Sequence, residues 1–219
     1  MICDRMICDR MICGVDEAGR GPLAGPVCAA AVVLPPDFPM GLLADSKKLK
    51  PKERDEARRA IIDGALAWGV AWASHTEIDE INILRASLLA MRRAFDCLLA
   101  PAPGKGLWPE RLETETPFGR PFDPAILPGG LKAIADGTHT PDLPIPCEAL
   151  VKADSKVPEV MAASILAKTA RDQLMKHYAK LYPRYGYERH KGYPTVGHRE
   201  QILKHGPSPI QRKSFRTGN

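Results

Sequence analysis

The sequence predicts an α/β protein with a mixed sheet flanked by helices. Three observations carry that expectation. The chain opens on two apolar runs joined by a Gly-rich turn. Later apolar runs of strand length alternate with longer helical patterns. Two segments repeat apolar residues at three- and four-residue steps, the period of a helix with one buried face.

Taken in order, residues 12–16 form a short apolar run ending at Asp16, and the turn Gly19-Arg20-Gly21-Pro22 follows. Val27 to Leu34, rich in Val and Ala, reads as the second strand of a hairpin. Pro51 opens a charged stretch to about Leu66 with Ala57, Ala60, Ile61 and Ala65 on one side, so a helix. Trp68 to His75 alternates weakly and reads as a strand. Ile81, Leu84, Leu88, Met91, Phe95 and Leu98 mark an amphipathic helix. Leu131–Ala135 and Cys147–Val151 are strand candidates. Pro158 to about Leu181 reads as a long helix with proline in its first turn. Residues 101–130 hold seven Pro and five Gly and read as a long solvated loop.

At 219 residues the chain suits one domain. Such a chain buries about 70% of its unfolded surface and needs no disulfide or structural metal to fold. Its longest wholly apolar run, Val27–Leu34, is too short to cross a bilayer, so no membrane partner is expected. Charged residues interrupt the N-terminus every few positions, so no secretory leader is read there. Residues 1–5 and 6–10 both read MICDR, and 11–13 begin the repeat again. This is read as a short, dispensable duplication ahead of Met11, and it accounts for Cys3, Cys8 and Cys13. Cys28, Cys97 and Cys147 are scattered with no C-x-x-C pair. They read as thiols in a reducing compartment, the cytoplasm.

The net charge of +5 is unevenly spread. Residues 176–219 carry ten Lys and Arg against two Glu, a local +8, which leaves residues 1–175 at −3. All five tyrosines and four of the six histidines lie in the same stretch. Basic charge interleaved with rings suits a surface that tracks a phosphate backbone, and equally describes a solvated basic tail.

Four acids stand at strand ends or just beyond: Asp16, Glu17, Asp136 and Asp154. Ligand sites of α/β sheets form there. Several carboxylates brought together repel and call for a cation, and hard oxygen donors suit Mg²⁺ or Mn²⁺. By spacing alone a surface or capping role is the commoner one for such acids, and Asp154 or Ser155 is placed to cap the helix. Asp16 and Glu17 would point to opposite faces of an ideal strand, so sharing a site requires the backbone to leave strand geometry at Glu17. Gly19-Arg20-Gly21 offers backbone N–H groups and a guanidinium to a phosphate, though a plain tight turn has the same composition. Asp45-Ser46-Lys47 reads as a helix lead-in or a phosphate-contacting loop. Lys168 reads as solvated.

Together these segments are more specific. GVDEAGRGPLAGPVCAAAVVL, LADSKKL, ADG, KADSKVPEVMAASILAKTARD, YGYERHKGYPT and HGPSPIQRKSF occur in that order. The chain from Met11 to Arg216 resembles bacterial ribonuclease HII, apart from the repeat and the Pro-rich stretch, which looks like an insertion. The resemblance implies a ribonuclease H-like mixed sheet flanked by helices, with a small helical and basic C-terminal region. On that reading residues 1–10 are an extension, 11–182 the catalytic domain with an insertion at 101–130, and 183–219 its basic substrate-binding region. It implies an endonuclease, acting as a monomer, that hydrolyses RNA in RNA–DNA hybrids and at single ribonucleotides embedded in duplex DNA, leaving 5′-phosphate ends.

Residue by residue, the resemblance puts Mn²⁺ or Mg²⁺ on Asp16, Glu17, Asp136 and Asp154, which act as a two-metal catalytic set. It assigns substrate contacts to Gly19, Arg20, Gly21, Asp45, Ser46 and Lys47, and ribonucleotide reading to Tyr193. Thr138 replaces the family's usual Asn after the ADG acid, and Gln211-Arg212 stands where His-Arg is common. The sister enzyme, ribonuclease HIII, carries an extra N-terminal domain, which the short lead before the first motif disfavours. Two rivals remain. A non-catalytic hybrid-binding module would need the basic stretch and none of the acids. Another nuclease or transposase of the same superfold would share the acids but lack the Gly-Arg-Gly and Tyr193 pair.

Overall fold

The computed structural model describes residues 11–43, 49–99, 108–109, 111–121 and 130–216. The tandem repeat at 1–10 and the Asp45-Ser46-Lys47 loop lie outside the described residues.

Strands β1 (Met11–Ala18) and β2 (Val27–Val33) form the expected hairpin. Helix α1 (Pro51–Gly64), strand β3 (Ala67–Ala73), helix α2 (His75–Leu99) and strand β4 (Phe118–Arg120) follow. Then come β5 (Leu131–Asp136), β6 (Cys147–Leu150), α3 (Pro158–Leu181), α4 (Tyr187–His190) and α5 (Val196–His205). The six strands form one sheet in the order β4-β3-β2-β1-β5-β6. The pairs among β1 to β4 are antiparallel, while β5 runs parallel to β1 and β6 parallel to β5.

The sheet is buried on both faces, which explains why β2 and β3 read as near-continuous apolar runs. In β2, Cys28, Ala30 and Val32 pack with α1 and α3 residues such as Ile61, Ile165 and Leu166. Val27, Ala29, Ala31 and Val33 face the other way, against Ala90, Met91, Phe95 and Leu98 of α2. This is the two-residue alternation of a strand with a core on each side. Gly14 decides how closely α3 approaches β1. A Cβ there would lie 2.0 Å from the main chain of Glu159, so only glycine lets the start of α3 rest on the strand.

Helix α2 starts earlier than its apolar repeat suggests and is kinked. Ser74 and Glu77 cap its first turn reciprocally. Asn82 then leaves helical geometry at φ 67°, and its Oδ1 accepts from the amides of Leu84 and Arg85, restarting the helix as an N-cap.

The Pro/Gly-rich stretch differs from expectation in its described part. It is not simply solvated: β4 pairs with β3 as the edge strand of the sheet, and Leu112 and Phe118 are buried. Trp108 stacks obliquely on Trp68 at 6.0 Å and edge-on to Phe118 at 5.2 Å, and its Nε1 donates to Gln173 of α3 at 3.0 Å. Sparse apolar residues without a period defeated the sequence reading, because three large side chains suffice to anchor a loop.

Candidate active site

The site forms where the parallel strands end. Pairing of β1 with β5 stops at Val15–Ala135, so Asp16 and Asp136 emerge side by side from adjacent strand ends. Asp16, Glu17, Asp136, Gly19, Arg20, Gly21 and Tyr193, with Ala18, Ser164 and Lys168 of α3, line a cleft of about 230 Å³. Here the sequence expectation needs correction at Glu17. β1 keeps its pairing with β2 through Ala18–Cys28. No break in strand geometry is needed, because β5 no longer covers that edge and Glu17 reaches round it with a longer side chain.

Asp16 is almost fully buried, and its Oδ1 accepts from the Glu17 amide at 2.7 Å. Burial, then the charge of Glu17, pushes its carboxyl well above the usual range; the Ser164 hydroxyl opposes this, and Asp136 adds to it. Burial also raises Glu17, with Asp136 adding to the rise, while Arg20 at 3.2 Å pulls it down. The Asp136 Oδ1 accepts from the Ala153 amide at 2.7 Å. Asp154 does not line the cleft; it lies buried in the single turn Ala153–Ser155 that holds Asp136. Among the described residues no group of three or more His, Cys, Asp or Glu is gathered tightly enough to hold a metal ion as it stands.

The cleft's other wall is Gly19-Arg20-Gly21 against Tyr193. Gly21 is exposed, and a methyl group on it would meet the Tyr193 ring at 3.5 Å. The Tyr193 amide donates to the His190 carbonyl at 2.9 Å, and its carbonyl accepts from His198 Nδ1 at 3.0 Å. The Leu23 amide donates to the Gly192 carbonyl at 2.8 Å and so ties the two loops together. Tyr178 hydrogen-bonds Glu115, and Tyr185 and Tyr187 stack at 5.7 Å in a small core of their own, so the other tyrosines of the cluster are structural.

Several cleft neighbours escaped the sequence reading. Lys168 lines the cleft and pairs with Asp172 at 2.6 Å instead of standing in solvent. Ser164 backs Asp16. Arg212, one of the ten basic residues counted in 176–219, is fully buried, as is Arg171. Helical spacing places Ser164 and Lys168 one turn apart, a signal readable only once the cleft's position is known.

The fold is that of ribonuclease H-like α/β proteins. The ribonuclease H2 of Pyrococcus horikoshii superposes with a TM-score of 0.66 at 26% identity, covering 94% of each chain. At the level of sequence, the family model for ribonuclease HII matches residues 13–99 and 133–218, breaking off across the Pro-rich stretch. Ribonuclease HII of Treponema denticola is 50% identical over 92% of this chain and 96% of its own. That of Dechloromonas aromatica is 46% identical over 92% of this chain and 89% of its own. The chain belongs to the ribonuclease HII family, and is with it a ribonuclease H, an endonucleolytic hydrolase.

Proposed function

We propose that this chain cuts the RNA strand of RNA–DNA hybrids, and duplex DNA at single embedded ribonucleotides, at the Asp16–Glu17–Asp136 cleft. The observation that supports this most strongly is the pairing of an acidic floor with the Gly19–Gly21 and Tyr193 wall in one cleft. Nothing in the comparisons favours a module that binds hybrids without cutting them.

The donor chemistry fits a hard divalent cation. Three carboxylates face one cleft, and burial and mutual charge already disfavour ionising Asp16 and Glu17. Asp16, Glu17, Asp136 and Asp154 are the residues that would hold the two ions of the expected set, Mg²⁺ or Mn²⁺. When bound, a divalent ion would supply charge neutralisation at the scissile phosphate and activation of water. The protein does the rest. Ser164 and the Glu17 amide orient Asp16, and the Ala153 amide orients Asp136. The Arg20 guanidinium, half exposed, is free at its outer edge to meet a phosphate. The 2′-hydroxyl is the one group that marks a ribonucleotide in DNA. Backbone amides of Gly19–Gly21 bond it while the Tyr193 ring packs on the sugar.

The test is incubation with a DNA duplex carrying one ribonucleotide, beside an all-DNA duplex, with Mg²⁺, with Mn²⁺ and with EDTA. Cleavage of the first duplex alone, only with a divalent ion, and with 5′-phosphate ends is expected. Cleavage of the all-DNA duplex, or cleavage in EDTA, contradicts the reading.

A further inference from the structure

Two arginines that the reaction does not use directly are buried beneath the selective wall of the cleft. Arg171 on α3 and Arg212 near the C-terminus are 1% and 0% exposed. Their guanidinium groups make six hydrogen bonds, and all six acceptors are main-chain carbonyls. Arg171 donates to Pro26 at 2.9 Å, Ala24 at 3.2 Å and Lys191 at 3.0 Å. Arg212 donates to Gly25 at 2.8 Å, Arg20 at 2.9 Å and Gly19 at 2.7 Å. Burying two like charges side by side is costly for stability, and a planar five-donor fork is the side chain that satisfies several carbonyls at once.

The choice of carbonyls is informative. A trans peptide unit is planar, with its C=O and N–H pointing in opposite directions. The Gly19 carbonyl shares a unit with the Arg20 amide, and the Arg20 carbonyl shares one with the Gly21 amide. Holding both carbonyls inward on Arg212 therefore turns those two amides outward. Arg171 grips both the far end of the same connection and the Lys191 carbonyl, two residues before Tyr193. Gly19, at φ 98°, packs so closely on Arg171 that a Cβ would lie 1.9 Å from its Nε.

We infer that Arg171 and Arg212 are positioning residues for ribonucleotide selection: Arg212 presents the Arg20 and Gly21 amides, and Arg171 sets their distance from the Tyr193 ring. The inference rests on the reading that this wall contacts the ribonucleotide. Arg212→Lys keeps the charge but cannot hold three carbonyls in a plane. It therefore lowers single-turnover cleavage of one embedded ribonucleotide about tenfold more than cleavage of a long RNA–DNA hybrid. Duplex affinity stays near wild type. Arg171→Lys shifts the same ratio in the same direction.

Tyr193→Ala, measured beside them, separates the two ideas. If Tyr193→Ala shifts the ratio and neither arginine variant does, the arginines merely support the fold and the inference is overturned. If Tyr193→Ala leaves the ratio unchanged, the reading of the wall itself fails. Should the arginine variants not fold, the wild-type chain in EDTA provides the measurement. The NMR signal of the Arg212 Nε–H should shift when a one-ribonucleotide duplex binds and not when an all-DNA duplex binds. Identical shifts with both duplexes overturn the inference.

Discussion

Tyr193 is held by its neighbours on both sides: its amide bonds His190, its carbonyl accepts from His198, and its ring edge lies over Gly21. The residue is nevertheless 42% exposed, as its proposed packing on a sugar requires. Tyr193→Ala should cut cleavage at one embedded ribonucleotide by roughly 5- to 150-fold, if the lost ring contact is worth about 1–3 kcal/mol, as for a base stacked on an aromatic ring. A long hybrid should suffer less, because it offers many registers. Tyr182→Ala, which removes a ring packed at 6.3 Å from Tyr178, should act through stability alone. Comparing both variants on both substrates checks this; equal losses on the two substrates for Tyr193→Ala would count against it. The strand-end positions of the candidate acids were legible in the sequence, but spacing alone favoured a surface or capping role, and only the resemblance singled them out as a set. Arg171 and Arg212 were not legible, because a guanidinium reads as a solvated charge until the fold shows that every donor meets a carbonyl.

At the scale of elements, the strands and long helices were legible wherever a period survives. The hairpin, α1 and α3 follow the apolar pattern closely. The α2 kink was hidden because Asn82 breaks one turn without disturbing the apolar spacing around it. The Pro-rich stretch hid β4 for the opposite reason: three strand residues carry no measurable alternation. Trp108 now makes a direct prediction. It packs on Trp68 and Phe118, lies under the Arg58 guanidinium at 5.0 Å and bonds Gln173. Trp108→Ala should lower unfolding free energy by about 2–3 kcal/mol, at or just below the bottom of the range for buried aromatic truncations because the residue is only partly buried. Urea unfolding measures it, and affinity for a hybrid should not change. A loss below about 0.5 kcal/mol would mean that the ring's contacts do not anchor the stretch.

Across the whole molecule, the charge asymmetry has a direction. Ser164 and Lys168 of α3 line the cleft, and Lys176 and Lys180 lie further along the same helix. Lys180 lies sixteen residues beyond Ser164, roughly 24 Å along the helix. Lys176, Lys180 and Arg184 are exposed, so a duplex that leaves the cleft past the C-terminal half of α3 would exchange counterions with them. Neutralising the three should weaken binding and flatten its salt dependence by up to about one unit of log–log slope per lost phosphate contact, while cleavage of saturated enzyme holds. An unchanged slope would route the nucleic acid elsewhere. Among the described residues no helix is long and apolar enough to cross a membrane. On the proposed reading, carboxylates at the ends of β1 and β5 perform the cut, while affinity comes from elsewhere. Asp136→Asn tests it most directly, because the asparagine Oδ1 can still accept from the Ala153 amide while the carboxylate charge is lost. Single-turnover cleavage and binding of a one-ribonucleotide duplex should be measured together, with saturating Mg²⁺ and then Mn²⁺. The predicted result is a rate loss of about a thousandfold or more, several kcal/mol of transition-state stabilisation, with the dissociation constant within a few-fold of wild type. Near-normal turnover with either ion would contradict it.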